Sequence, residues 1–195
     1  MAAENRIRAI MKNVAVLAFA SVVAVAALAP AAGPARATGE FSATASVTTK
    51  QGTRSMGFNL VVSNPMTMEQ AEPLKEVLAR GGQQALLNAI KGAGRGKIRL
   101  GGFEYPVDLV VVEPAGDATR YFVVTSRPLK YEEVNLGLES LDHPFSVFVV
   151  NVPSMGTGDG RIYTKAALSI DEQGHVRADQ YDGEPGTLRD VKRLK

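Results

Sequence analysis

Two short stretches are apolar on both sides of an extended chain, and they decide the fold. Residues 145–150 read Phe-Ser-Val-Phe-Val-Val, and residues 109–112 read Leu-Val-Val-Val. Neighbouring side chains of a strand point to opposite faces of its sheet, so strands of this composition need cover on both faces. We therefore expect both stretches at the centre of a sheet with other structure packed on each side.

The sequence around these stretches predicts further strands, each bounded by Gly, Pro, Asp or Asn. The predicted strands are residues 41–47, 56–62, 97–101, 107–113, 120–126, 144–152, 161–170, 175–181 and 187–191. Nearly all of their connections are too short for a parallel crossover, so the sheet should be mainly antiparallel. A sheet of about eight or nine strands usually curls or closes to remove its edges, so we expect a curled or barrel-like sheet.

Residues 65–92 have a helical pattern instead. Thr67 and Gln70 fit a capping box, and the apolar residues that follow recur three and four apart. Pro73 lacks the N–H that a helix interior needs, so we expect the regular helix to begin near Pro73. Gly81 and Gly82 should end it, with a second helix over residues 83–91. These patterns predict an α+β fold with one inserted helical hairpin.

The first 37 residues have the pattern of a signal peptide. Three basic residues precede an apolar run at residues 14–29, and Ala35 and Ala37 then supply the small side chains that signal peptidase accepts. The run is shorter than the roughly 20 residues of a spanning helix. We therefore predict a signal peptide at residues 1–37 and a single exported α+β domain at residues 38–195, periplasmic or secreted. A leader retained as a membrane anchor is the alternative.

The charge balance argues against several classes of partner. Lys and Arg total 22, Asp and Glu total 20, and Cys is absent. The leader carries four of the basic residues and one acidic residue, so the rest is nearly neutral, which disfavours nucleic acid and anionic membranes as partners. Without Cys there is no disulfide or thiolate metal site. We predict no cofactor and no membrane span after signal removal.

Three arginines are candidate binding residues. Arg99, Arg120 and Arg127 fall on or beside successive predicted strands. Arginines that meet across a sheet can bind a carboxylate or phosphate bidentately. The alternative is that each pairs with a surface carboxylate, where ion pairs contribute little; the nearby carboxylates are Glu104, Asp108 and Glu113.

The pair Asp142 and His143 is a weak candidate for a metal site or for proton exchange. Adjacent residues on an extended chain point to opposite faces, so the two do not form a site by themselves. The only other histidine, His175, directly follows a predicted hairpin loop and is interpreted as a solvated turn residue. No catalytic residue is predicted.

Two glycine-rich stretches imitate known motifs. Residues 92–97 resemble a phosphate-binding loop, but the Ser or Thr after the Lys is missing and a strand follows. Residues 156–160 resemble one copy of a calcium-binding nonapeptide, which works only when several copies stack. We interpret the first as a helix-to-strand loop and the second as a hairpin turn.

Several segments carry a resemblance when they are taken together: the leader, residues 41–43, the helical region around residues 81–83, residues 97–102, 125–129 and 143–146, and the final hairpin. Together these segments resemble a group of uncharacterised exported bacterial proteins with no assigned activity. The resemblance implies export and a shared fold. It supplies no functional residue.

Three functions are compatible with these patterns. The first is a non-catalytic binding module for a small amphipathic ligand or another exported protein, which fits the apolar strands. The second is a hydrolase or metal-dependent enzyme that uses His143 with nearby carboxylates. The third is an inhibitor or accessory protein that pairs a strand edge with its partner. The first agrees best with the absence of a complete catalytic motif.

The leader gives the first testable prediction. Intact-mass analysis of periplasmic or secreted material should show a chain that starts at Thr38 or within a few residues of it, because signal peptidase removes the segment before the folded domain. Protein recovered in the membrane fraction with Met1 attached would contradict the assignment.

Overall fold

A computed structural model describes residues 37–49, 52–129, 142–181 and 183–195. The predicted leader, including Ala35, lies outside these residues except for Ala37. The helix is α1 (Met68–Ile90). The strands are β1 (Gly39–Thr49), β2 (Gly52–Val62), β3 (Met66–Thr67), β4 (Gly96–Leu100), β5 (Phe103–Val107), β6 (Leu109–Ala115), β7 (Ala118–Thr125), β8 (Phe145–Pro153), β9 (Gly158–Ile170), β10 (Val176–Gln180) and β11 (Gly186–Arg193).

All these strands belong to one sheet. Its order is β3-β6-β7-β8-β9-β11-β1-β2-β4-β5, and β10 pairs with β9 beside this path. Only the short β3 pairs in parallel, with β6, so the prediction of a mainly antiparallel sheet is confirmed. The sequence did not predict β3 and β5. Pro106 lies within β5, which is tolerated because β5 stands at one end of the strand order.

The sheet curls strongly, so that strands far apart in its order meet on the inner face. The rings of Phe41 on β1 and Tyr121 on β7 have centres 4.9 Å apart. The rings of Phe58 on β2 and Phe148 on β8 are 5.6 Å apart. All four side chains belong to one buried cluster that also includes residues of β4, β5, β6, β9 and β11. The inner face of this half-barrel is therefore a packed core.

Helix α1 covers the outer face of the central strands. Its buried residues Leu78, Leu86 and Ile90 belong to a second cluster that also contains Val111 of β6 and Val147 of β8. In both stretches that are apolar on both sides, some side chains enter this outer cluster and others enter the inner one. Val110, Phe148 and Val150 belong to the inner cluster. Cover on both faces, expected from the sequence, is confirmed.

The start of α1 corrects part of the sequence interpretation. The capping box is present, with the Thr67 N–H donating to Gln70 Oε1 at 2.9 Å and the Gln70 N–H donating to Thr67 Oγ1 at 3.3 Å. This cap starts the helix at Met68, so the predicted start near Pro73 is wrong. Pro73 lies inside the helix, where it cannot donate to the carbonyl of Glu69.

The glycine pair interrupts α1. Gly82 has φ 67° and ψ −163°, outside the helical region, and helical residues continue after it to Ile90. A break of one residue is shorter than the two to five residues that usually join antiparallel helices. The α+β class with a large curled sheet is therefore shown, whereas the structure has one interrupted helix and the helical hairpin is not shown.

The break in α1 positions Gln83 against a strand edge. β9 extends past β8, whose first residue Phe145 pairs with Ala166. Beyond that point the Leu168 N–H donates to Gln83 Oε1 at 2.9 Å, and Gln83 Nε2 donates to the Leu168 carbonyl. The side chain thus replaces a missing neighbouring strand and protects the edge of β9.

Residues 126–129 close one end of the curled sheet. Leu129 is fully buried in the inner core, and its N–H donates to the Thr164 carbonyl at 3.3 Å. The Arg127 carbonyl accepts from Thr125 Oγ1 at 2.7 Å and from Ser146 Oγ at 3.3 Å. The segments 125–129 and 143–146, which carried the resemblance, therefore meet in this end closure.

Buried Asp108 fastens the end closure to the loop after α1. Its carboxylate accepts the N–H of Gly92 at 2.8 Å and the N–H of Ser126 at 2.9 Å. Asp108 is only 3% exposed, so the two backbone donors replace the water that a free carboxylate would bind. The surface ion pair that the sequence allowed for Asp108 is not found among the described residues.

The inner core generates a stability prediction. Phe148→Ala should lower the free energy of unfolding by about 3–5 kcal/mol, because it removes a fully buried ring and leaves a cavity. Phe103→Ala is the matched control, since Phe103 is 51% exposed and should cost no more than about 0.5 kcal/mol. Denaturant unfolding of both variants tests this, and equal losses would contradict the assigned core.

Candidate functional site

An apolar groove of about 580 Å³ lies between α1 and the outer face of the sheet. The first part of α1 contributes one wall through Ala71, Leu74 and Leu78, and the sheet contributes Val111 and Phe122. The complete lining is Met68, Ala71, Leu74, Lys75, Leu78, Leu86, Leu109, Val111, Glu113, Pro114, Ala115, Arg120, Phe122, Leu168, His175 and Val176. Twelve of these sixteen residues are apolar, so the groove is suited to a hydrocarbon group.

The groove continues into a wider, charged trough of about 1210 Å³ over β7 to β11. The two cavities share Glu113, Arg120, Phe122 and Val176. The charged residues that line the trough are Arg120, Arg161, Arg177, Arg189, Glu113, Asp159, Asp179 and Glu184. A molecule in the groove can therefore extend into a strongly polar region without leaving the surface of the sheet.

A ladder of polar side chains crosses the boundary between groove and trough. The strand register places Glu113, Arg120, Asn151 and Asp159 side by side on β6, β7, β8 and β9. Arg120 bonds to Glu113 at 3.0 Å and to Asn151 at 3.1 Å, and Asn151 donates to Asp159 at 2.7 Å. The ladder satisfies these groups mutually and fixes Arg120 where the apolar groove ends.

Glycine 160 allows the strands beneath the trough to approach closely. A Cβ at this position would collide with the Val149 carbonyl of β8 and would lie 3.1 Å from Leu188 Cδ1 of β11. Gly158 and Gly160 belong to β9, and the turn precedes them, so the interpretation of residues 156–160 as a hairpin turn holds only for the start of that stretch. The other glycine-rich stretch, residues 92–96, does connect α1 to β4.

The hairpin from β9 to β10 forms one rim of the groove. Asp171 accepts the backbone N–H groups of Gln173 at 3.0 Å and His175 at 2.8 Å, and the Arg177 Nε at 2.9 Å. The N–H of His175 is the largest cause of a lowered pKa for the Asp171 carboxyl, and Arg177 and Gln173 lower that pKa further against the effect of desolvation. The side chain of His175 is 75% exposed, in agreement with a turn position, and contributes to the lining of the groove.

The three arginines predicted as binding residues lie in separate parts of the fold. Arg99 on β4 pairs with Glu104 on β5 at 3.1 Å, and this hydrogen bond, with Lys97, lowers the pKa of Glu104. Arg120 lies in the ladder on β7. Arg127 lies in the end closure, with its guanidinium 5.6 Å from the ring centre of Tyr105. Only Arg120 lines the groove or the trough.

His143 lies near the end closure and packs edge-on against Tyr181, with ring centres 5.0 Å apart. Its Nδ1 is buried and has no hydrogen-bond partner among the described residues. Lys165 places its ammonium 4.3 Å from the centre of the same Tyr181 ring, and Asp142 is exposed. No group of three metal-ligating His, Asp or Glu side chains occurs within the described ranges.

Two functional candidates, Arg161 and Arg189, were not among the arginines predicted as binding residues. Both line the trough together with Arg120. The alternation around Ile162 does place Arg161 on the outward face of a predicted strand, which is a usable signal. The pairing of β9 with β11, which brings Arg189 to the same surface, is a tertiary feature that this alternation does not encode.

Comparison with known proteins gave no match to any family model, curated protein or solved structure. The described residues contain no helix that is both long enough and apolar enough to cross a membrane.

The rim of the groove should respond to acid. The folded pKa of Asp171 is lowered, so its stabilising contribution is present above the unfolded Asp pKa of about 3.9 and is lost as pH falls through the folded value. Asp171→Asn should therefore be less stable than the wild type at neutral pH, and the difference should shrink in acid. Urea unfolding from pH 7 to pH 2 measures this.

The matched control for this pH series is Glu172→Gln, in the same loop. Its side chain makes none of the hydrogen bonds that hold Asp171, so this variant should follow the wild-type profile. A pH-independent difference between the wild type and Asp171→Asn would contradict the electrostatic role of Asp171.

Proposed function

We propose that the protein is an exported, non-catalytic binding module that takes a small amphipathic ligand in the groove beneath α1. The observation that carries this proposal is the direct continuation of an apolar groove into a charged trough, through shared lining residues such as Phe122 and Arg120. Such a surface matches a molecule with one apolar end and one polar end. Export rests on the signal-peptide pattern of residues 1–37.

The dimensions and composition of the groove support a small ligand. Its volume of about 580 Å³ lies in the range of small-molecule sites. Leu78 and Leu86 of α1 and Leu109 of β6 are nearly completely buried and belong to the same cluster, so the base of the groove is firmly packed. A hydrocarbon group in the groove would gain contact with these side chains at little cost in ordering the protein.

The polar mouth of the groove supports an amphipathic ligand over a purely apolar one. Glu113 and Arg120 pair at 3.0 Å, with side chains 33% and 45% exposed. Both residues line the groove and the trough, so a head group in contact with them would keep access to water. The other polar lining residues, Lys75 and His175, also present hydrogen-bonding groups at the rim.

The strand-edge alternative has weaker support. β5 lies at one end of the strand order but contains Pro106, and its Glu104 is paired with Lys97 and Arg99. β3 at the other end has only two residues. Proline, charged residues and short strands are the features that disfavour edge pairing.

The enzyme alternative also has weaker support from the geometry. His143 lines neither the groove nor the trough, and the neighbouring Asp142 side chain is exposed. Among the described residues, the ring of His143 packs against Tyr181, and the Lys165 ammonium lies over the same ring. This cluster is explained by packing against an aromatic ring, and the binding proposal does not use it.

Filling the groove tests the proposal. Ala71→Phe should weaken binding of the neutral apolar probe N-phenyl-1-naphthylamine at least tenfold, because the buried Ala71 lines the groove. Ala79→Phe makes the same substitution on the exposed face of α1 and should bind the probe like the wild type. Probe fluorescence gives the affinities, and circular dichroism confirms that each variant is folded.

Because a larger side chain can disturb the packing beneath α1, a second variant supports the test. Leu74→Gln replaces a half-buried groove residue by a polar one of similar size and should also weaken binding. Wild-type affinity in folded Ala71→Phe or folded Leu74→Gln would contradict the proposed site.

A further inference from the structure

We infer that the trough binds an acidic head group, so that the ligand of this protein is an anionic amphiphile with a carboxylate or a phosphate at its polar end. The inference rests on the proposed function, and it assigns Arg161 and Arg189 as the residues that recognise the anion. Its basis is the pairing of charges in the trough and the strand geometry that places these two arginines.

Most of the charged groups in the trough already have partners. Glu113 pairs with Arg120, and Arg177 pairs with Asp171. Asp159 accepts from Asn151 and Asp179 accepts from Ser169. Among the described residues, Arg161, Arg189 and Glu184 remain without an ion-pair partner or side-chain hydrogen bond in the trough. Asp159 and Asp179 keep their negative charge, because their donors are neutral, and Arg161 and Arg189 are the arginines of the trough that an anion can reach without displacing a carboxylate partner.

The strand register brings these two arginines to the same surface. Arg161 on β9 pairs directly with Thr187 on β11, and the next pair is Gly160 with Leu188. Thr187 and Arg189 are both exposed and both line the trough, while Leu188 between them points into the inner core. Arg161 and Arg189 therefore lie on adjoining strands, each one residue away from the Gly160–Leu188 pair.

An irregularity in β11 directly follows Arg189. Leu188 and Val191 are both buried, with Arg189 and Asp190 between them, and β11 here has one residue more than β9 or β1. Asp190 adopts the left-handed region at φ 55°, the only residue other than glycine to do so among the described residues. A bulge of this kind redirects side chains, and here it returns Val191 to the inner face after Arg189, which lies outward by the regular alternation of Thr187, Leu188 and Arg189.

The chemistry of the guanidinium group defines the ligand class. Arginine presents paired N–H donors that match a carboxylate or a phosphate, and two arginines on adjoining strands can bind different oxygen atoms of the same head group. The exposed Thr187 next to them can donate its hydroxyl. The tail would then pass Phe122 and Val176, which line both cavities, into the groove.

The test compares ligands that share one tail and differ in the head group. Decanoate, decyl phosphate, decanol and decylamine should each displace N-phenyl-1-naphthylamine from the groove, and their affinities are compared at one ionic strength. We expect the two anions to bind at least tenfold more tightly than decanol, and decylamine to bind no better than decanol. A stronger effect of decyl phosphate than of decanoate would identify phosphate as the head group, and the reverse would identify carboxylate.

Arginine variants locate the effect. The double variant Arg161→Gln with Arg189→Gln should lose the preference for anions but should keep its affinity for decanol and for the neutral probe. Arg99→Gln is the matched control, because Arg99 is exposed, pairs with Glu104 and lines neither cavity. It should retain the full preference for anions.

The outcomes separate the two proposals. Neutral probe and decanol binding without any preference for anions would overturn the inference and leave the proposed function intact. Failure of every amphiphile and of the probe to bind the folded wild type would overturn the proposed function itself. An equal loss of the preference in Arg99→Gln would also overturn the inference, because it would indicate a general charge effect.

Discussion

The need of the central strands to be covered on both faces determines most of this structure. β6 and β8 carry apolar side chains that alternate between the two buried clusters, as Val110 and Val111 show within one strand. Each face needs cover, because exposed apolar surface costs roughly 25 cal/mol per Å². The inner face is covered when the sheet curls over itself, and the outer face is covered by α1.

The groove and the trough follow from incomplete cover of the outer face. Past Gly82, α1 is fastened to β9 by the Gln83 amide and packs tightly through Leu86 and Ile90. Before Gly82, the helix leaves space above Val111 and Phe122, which becomes the groove. Among the described residues, no helix lines the neighbouring trough over β7 to β11, where eight of the lining side chains are charged. The candidate site is thus the boundary between the covered and the uncovered sheet.

Sequence reasoning succeeded where the signal was local. The two stretches that are apolar on both sides, the capping box at Thr67 and the break at Gly82 all depend on neighbouring residues, and each is present. It failed at Pro73, where the cap at Thr67 outweighed the missing hydrogen bond. It also missed β5, because Pro106 is tolerated only on an edge strand and the sequence does not say which strands are edges.

The site itself depends on pairings that local patterns do not contain. Arg161 and Arg189 are far apart in the chain and line the same trough only because β9 pairs with β11. Arg99, Arg120 and Arg127 were selected because they follow one another along the chain, but the order of strands in the sheet separates Arg99 from Arg120. Of these three arginines, which were chosen by their order in the sequence, only Arg120 lines the trough.

The bulge in β11 connects the packing of the core to the chemistry of the surface. Gly160 lets Leu188 enter the inner core, and Val191 must also be buried, so β11 has to place two inward side chains three residues apart. A regular strand cannot do this, because inward positions recur every second residue. The left-handed Asp190 resolves the conflict, because this extra residue lets Val191 return to the inner face. The bulge thus completes the core directly beside Arg189, which lies on the outer surface by its alternation with Leu188.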